Sequence, residues 1–231
     1  MLEPRSRRFW RELAPGDGVV DDWARIQSAV KACPLGGCIL LRPGTYTSVD
    51  AELDLMSLMS AVSLFGRGQA TMVSSSATVL VTASNPTPFA AWDGITMRLE
   101  VDGGIQSMLA ISGPLRLQSC VVQGGGISVL GDKDEDHSPL IINCEIHGCS
   151  SEGISLFFGA RPRIVESEIW GNVGEGILVR HGDPTISKST IRDNGRAGIK
   201  VLASSHGLAT ILPDNVFLRN GGGDVVREAP E

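Results

Sequence analysis

Between Pro139 and Leu202 one pattern is written three times. Pro139-Leu-Ile-Ile-Asn-Cys-Glu-Ile146, Pro162-Arg-Ile-Val-Glu-Ser-Glu-Ile169 and Pro184-Thr-Ile-Ser-Lys-Ser-Thr-Ile191 each lead through a polar turn to Gly153-Ile-Ser-Leu156, Gly176-Ile-Leu-Val179 and Gly198-Ile-Lys-Val201. The proline column and the glycine column both advance by 23 and then 22 residues. Two columns in step mark a structural unit that stacks on copies of itself. Each unit holds two short β-branched runs that alternate inward and outward, broken by Gly, Asn and Ser, with no apolar run of helix length. Coils built only of strands stack in parallel, so the period predicts an all-β fold, a right-handed parallel β-helix.

Stacked coils place matched residues about 4.8 Å apart, and each sequence column becomes a ladder of like side chains. The inward ladders read Ile154, Ile177, Ile199 and Leu156, Val179, Val201. Another runs Cys120, Cys144, Ser167, Ser189 just ahead of Val122, Ile146, Ile169, Ile191; small residues there suit a tight bend. Asn172, Asn194 and Asn220 recur in the turns and are expected to share amide hydrogen bonds up the stack.

The pattern loosens in both directions. Pro114 to Cys120 with Gly126 to Val129 forms an earlier coil, and Trp92 to Met97 with Met108 to Ile111 another. Regular coils are expected over about 114–206 and a partial last coil over 208–226, with no closing helix to cover its edge. At the other end, Trp23, Ile26, Val30 and Cys33 give a short amphipathic helix over about 21–33, capped by Asp21 or Asp22. Such a helix shields the apolar end of a solenoid core. Residues 1–14 read as an arm and 15–231 as a single β-helix domain.

At this point the residues resemble a known family. Gly16-Asp-Gly-Val-Val-Asp-Asp-Trp-Ala-Arg-Ile-Gln27, Gly36-Gly-Cys-Ile-Leu-Leu-Arg-Pro-Gly-Thr-Tyr46 and Val62-Ser-Leu-Phe-Gly-Arg-Gly68 look like the N-terminal cap and first coil of pectate-lyase-like β-helix proteins. The Asn-Cys-Glu-Ile-His-Gly and Gly-Ile-x-Val strings are similar to repeats of carbohydrate-binding and sugar-hydrolase (CASH) domains, which occur in bacterial surface proteins, uronate epimerases and F-box substrate adaptors. The resemblance implies fold strongly and activity weakly, because this fold hosts lyases, hydrolases, epimerases, adhesins and adaptors.

The family's catalytic residues do not carry over. The Asp-Pro-His signature of mannuronan epimerases and the paired-aspartate and Gly-His-Gly motifs of polygalacturonases are missing. On the strand after the turn, the outward columns read Ser128, Ser155, Leu178, Lys200 and Leu130, Phe157, Arg180, Leu202, without the paired carboxylates that acid and base work needs. On the neighbouring strand Glu145 and Glu168 are outward neighbours, followed by His147, Trp170 and Arg192. Two glutamates about 5 Å apart match the separation of retaining glycosidases, and Trp170 offers a ring for a sugar. Trp170, His147, Arg192 and Phe157 are therefore the binding candidates; Glu145, Glu168, Arg180 and Lys200 are the catalytic candidates of an alternative reading. Asp132, Asp134 and Asp136 make a weak calcium candidate, lacking the glycine and spacing of an EF-hand loop.

Composition narrows the partners. With 20 basic against 26 acidic residues, nucleic acid is not the expected partner. No run approaches the 18 or so apolar residues of a membrane span, and the N-terminus lacks the apolar core of a secretion signal, so the expectation is a cytoplasmic protein without membrane insertion. Five cysteines without Cys-x-x-Cys spacing read as buried free thiols, and no zinc site or cofactor is expected. The sequence reading is thus a non-catalytic β-helix module that presents a rigid surface to a protein or glycan partner, or an assembly subunit joined end to end through its last coil. The alternative is a small lyase, hydrolase or epimerase acting on an acidic polysaccharide.

Overall fold

The computed structural model describes residues 10–16, 22–34, 36–47, 62–74, 79–82, 90–100, 107–131, 138–205 and 209–229. The alternation of β-branched and polar residues gives short strands, and the repeat period stacks them in parallel into a solenoid of about seven turns. Each regular coil contributes one strand to each of three faces. The first face holds Leu115–Gln118, Leu140–Ile142, Arg163–Val165, Thr185–Ser187 and Thr210–Ile211. The second holds Val121–Gln123, Glu145–His147, Glu168–Trp170, Thr190–Arg192 and Val216–Leu218, and the third Gly126–Leu130, Ile154–Phe157, Ile177–Val179, Ile199–Val201 and Val225–Arg227. The long strand Ala90–Leu99 crosses the corner between the first two faces and pairs with both.

The registers are those of the sequence columns: Ile154 pairs with Ile177 and Ile177 with Ile199, Ile146 with Ile169 and Ile169 with Ile191. These inward side chains are buried and belong to one core cluster. The glycine column has a steric cause. A Cβ at Gly153, Gly176 or Gly198 would meet the carbonyl oxygen of the next coil at 2.7, 2.6 and 2.7 Å, so the backbones approach too closely for any side chain.

Two polar ladders tie the corners. Between the first and second faces, Ser119, Asn143, Glu166 and Lys188 all take positive φ, near 51°, and the next residue turns inward. Ser167 Oγ accepts the Cys144 N–H at 3.2 Å, Ser189 Oγ accepts the Ser167 N–H at 3.2 Å, and Asn215 Oδ1 accepts the Ser189 N–H at 3.0 Å. Cys120 and Cys144 also donate their thiols to the carbonyl two residues back, as Ser167 and Ser189 donate their hydroxyls. In this bend the thiols take the place of the serine hydroxyls. In the turns before the third face, Asn172 Nδ2 donates to Asn194 Oδ1 and Asn194 Nδ2 to Asn220 Oδ1, both at 2.9 Å.

At the N-terminal end, α1 (Asp22–Lys31) buries Trp23, Ile26, Ala29 and Val30 in the core, and the Trp23 indole donates to the Tyr46 carbonyl at 3.4 Å. Asp22 lies inside the helix as its first residue, buried, accepting from the Gly16 N–H at 2.7 Å and from Arg25 at 2.6 Å; Asp21 lies outside the described residues. At the C-terminal end the strands of the last coil pair on one edge only among the described residues, and Val216, Leu218 and Val225 are exposed. All five cysteines are free and buried. No helix among the described residues is long and apolar enough to cross a membrane.

Candidate functional site

On the second face, the strands that carry Glu145 and Glu168 pair residue for residue, which sets the two glutamates side by side on adjacent coils. The next outward column stacks His147 on Trp170, with centroids 4.4 Å apart and planes 4° from parallel, and lays the Arg192 guanidinium 4.7 Å over the other face of the indole. Both faces of Trp170 are therefore occupied by the protein itself. A sugar ring stacking flat on Trp170 has to displace one of them.

The charges on this face are linked. Arg192 donates to Glu168 at 2.7 Å and to Asp193 at 2.8 Å, and Arg219 grips both Asp193 oxygens at 2.6 and 2.7 Å. Hydrogen bonds from Arg219, then from Arg192, hold the Asp193 carboxyl down at about 2. Glu145 has no such partner: among the described residues no cation pairs with it. Glu145 and Glu168 line a groove of about 450 Å³ along the corner with the first face, shared with Ser119, Asn143, Glu166 and Lys188. Lys188 lies 3.4 Å from Glu166. The groove thus holds three carboxylates against one lysine, with Arg192 at Glu168 from outside its walls.

Arg180 and Lys200 project from the third face, and the structure does not bring them to Glu145 and Glu168. Arg180 reaches Glu152 at 3.4 Å and lies 5.6 Å over the Phe157 ring; Lys200 pairs with Glu228 at 2.9 Å. Phe157 leans on the exposed Phe158 at 6.2 Å. Leu178, outward in the register, is buried all the same. Sequence reasoning found no paired carboxylates here, yet Glu152 and Glu175 stack in adjacent coils at the rim of this face, two residues ahead of the paired Ile154 and Ile177. The signal in the sequence is the repeated Glu-Gly-Ile of Glu152 and Glu175.

Among the described residues no group of three or more metal-binding side chains gathers; Asp132, Asp134 and Asp136 lie outside them. Residues 103–229, more than half of the chain, match the family model described as the right-handed β-helix region. No curated protein matches. Among solved structures, the chain is similar to the A-module of the mannuronan C-5 epimerase AlgE4 of Azotobacter vinelandii, at 19% identity over 92% of this chain and 67% of that one, with a TM-score of 0.48. It is also similar to pectate lyase Pel9A, at 13% identity over 97% of this chain and 79% of that one, with a TM-score of 0.42.

Proposed function

The chain belongs to the right-handed β-helix family, and from that premise we propose that it is a non-catalytic binding module whose second face presents a rigid groove to a protein or glycan partner. One observation carries the reading: Glu145 stands unpaired beside Glu166 and Glu168, with Lys188 the one cation lining the groove among the described residues. That surplus of negative charge repels a polyanion and favours a neutral or basic segment, which weighs against the alternative of an enzyme acting on an acidic polysaccharide at this place. Around the groove, Arg192, Glu168, Asp193, Arg219 and the Trp170 stack are already engaged with one another. Groups so satisfied fix a shape and leave little to change along a reaction. The N-terminal cap and the CASH-like repeats fit this reading of a scaffold that offers a surface, and we place the protein in the cytoplasm.

Surface plasmon resonance against basic peptides and a glycan panel tests it. Saturable binding that Glu145→Lys weakens by about tenfold or more, the scale of a lost charged contact, accords with the module. New reducing ends or unsaturated products released from an acidic polysaccharide, and lost in Glu145→Gln, would put the enzyme in its place.

A further inference from the structure

Glu152 and Glu175 occupy the same position in adjacent coils, but only one is satisfied. Ser151 Oγ donates to Glu152 Oε2 at 2.5 Å, Ser155 Oγ reaches the same oxygen at 3.5 Å, and Arg180 Nη2 lies 3.4 Å from Oε1. One coil further on, the residues in register with Ser151, Ser155 and Arg180 are Gly174, Leu178 and Leu202. None has a side chain that can donate. Glu175 is nevertheless the deeper of the two, its side chain 5% exposed against 12% for Glu152. Its Oε2 has no hydrogen-bond partner among the described residues, and Oε1 has only Arg196 Nη1 at 3.9 Å, beyond hydrogen-bond length. A buried carboxylate in that condition carries a desolvation cost with little return.

Glu175 lines a depression of about 360 Å³ with Arg196, Ala197, Lys200, Gly221 and Gly222. The space exists because the turn column continues up the stack as Glu152, Glu175, Ala197 and Gly223, so that side chains shrink where the next coils should cover the carboxylate. The charges around it balance, Glu175 and Glu228 against Arg196 and Lys200, with Lys200 already held by Glu228 at 2.9 Å.

We propose that this depression binds a neutral polyhydroxyl ligand, a sugar ring presenting vicinal hydroxyls, with Glu175 as the acceptor. Glu152 is the template for what such a carboxylate takes: two hydroxyls and a guanidinium. Arg196 stands near enough to supply the guanidinium, and the two hydroxyls are what this coil lacks. A cationic ligand is opposed by Arg196 and Lys200, and an anionic one by Glu175, which leaves neutral hydroxyl donors. In this arrangement the Arg196 side chain, 72% exposed, forms the outer wall and keeps its guanidinium by Oε1 while leaving Oε2 to the ligand, and Lys200 donates to a ring oxygen or hydroxyl. The site lies on the third face, apart from the groove on the second, and stands or falls independently of it.

Saturation-transfer NMR on the full chain tests the proposal, using maltohexaose, cellohexaose and mannohexaose, with sorbitol as an open-chain polyol and oligogalacturonate as an anionic arm. Saturable transfer to at least one neutral ring, stronger than to sorbitol, is expected. Glu175→Gln should weaken it by roughly tenfold or more, as loss of a charged acceptor does, and Glu145→Gln on the second face should leave it unchanged. Binding confined to oligogalacturonate or to sorbitol, binding indifferent to Glu175→Gln, or no transfer from any of them overturns the assignment. Thermal melting without ligand reads the same carboxylate: Glu175→Gln should raise the midpoint by roughly 2–4 °C, whereas Glu152→Gln should lower it. A fall in both would show that the protein already satisfies Glu175, and would remove the reason for the site.

Discussion

His147 and Trp170 lie flat on one another across adjacent coils, 4.4 Å between centroids, because the parallel register places their Cα atoms opposite one another and both side chains point outward. Arg192 closes the stack from the other side at 4.7 Å while bonding Glu168. Stacked coils bring equivalent positions about 4.8 Å apart, within the reach of ring stacking and of a cation over a ring.

Arg192→Ala removes the guanidinium from Trp170 and releases Glu168. With both groups partly exposed, the loss should be roughly 1 kcal/mol, within the range for a half-exposed cation over an indole and an ion pair open to solvent. A double-mutant cycle with Trp170→Leu, followed by urea unfolding, should return a coupling of about 0.5–1 kcal/mol. Additive effects would mean that the stack contributes nothing.

The asparagine ladder is buried, and its middle rung matters most. Asn194 takes hydrogen bonds from the Asn172 amide and side chain and donates to the Ile169 carbonyl. Asn194→Ala strands those partners inside the turn and should cost about 2–4 kcal/mol. Asn220, half-buried at the last coil, should cost less. Equal urea midpoints for the two variants would count against the ladder as a source of stability.

Asp193 gives the pH dependence its sign. Its carboxyl is held at about 2 by Arg219 and Arg192, below its value in the unfolded chain. The group binds fewer protons when folded, so its contribution is complete above about pH 4 and is lost as pH falls toward the folded value. Urea midpoints measured from pH 5 to pH 2 should therefore decline, and Asp193→Asn should flatten that decline. An unchanged slope in the variant would assign the acid sensitivity elsewhere.

The thiols should be silent in the native state. Burial pushes the Cys149 thiol up to about 12, and contact with Cys120 together with burial raises Cys144 further. Since the thiolate is the reactive form, a disulfide reagent at pH 8 should label little in minutes and all five cysteines after unfolding. Cys33, at 7% exposure, should react first; prompt labelling of Cys149 would contradict its place in the core.

Much of the second face was legible before any coordinates. The pairing of Glu145 with Glu168, the Trp170 ladder and the asparagine rungs follow from counting along the repeat, because residues one period apart must be neighbours. What counting could not supply was the state of each group. It offered Trp170 as a ring for a sugar, where His147 and Arg192 cover both faces, and Arg180 and Lys200 as catalytic candidates, where Glu152 and Glu228 pair with them. Glu175 escaped notice for the same reason: nothing in a Glu-Gly-Ile string says that its neighbours lack donors.

The sequence alone determined the stacking of coils, the inward columns and the glycine turns, since a solenoid's contacts run between neighbouring coils and a fixed period dictates which residues meet. The tertiary structure alone decided which charges are spent and which remain. Hydrogen bonding depends on distances of a few tenths of an ångström and on rotamers, and a period specifies neither. Glu152 and Glu175 share one place in the repeat, and only the tertiary structure separates the carboxylate with partners from the one whose Oε2 has none among the described residues.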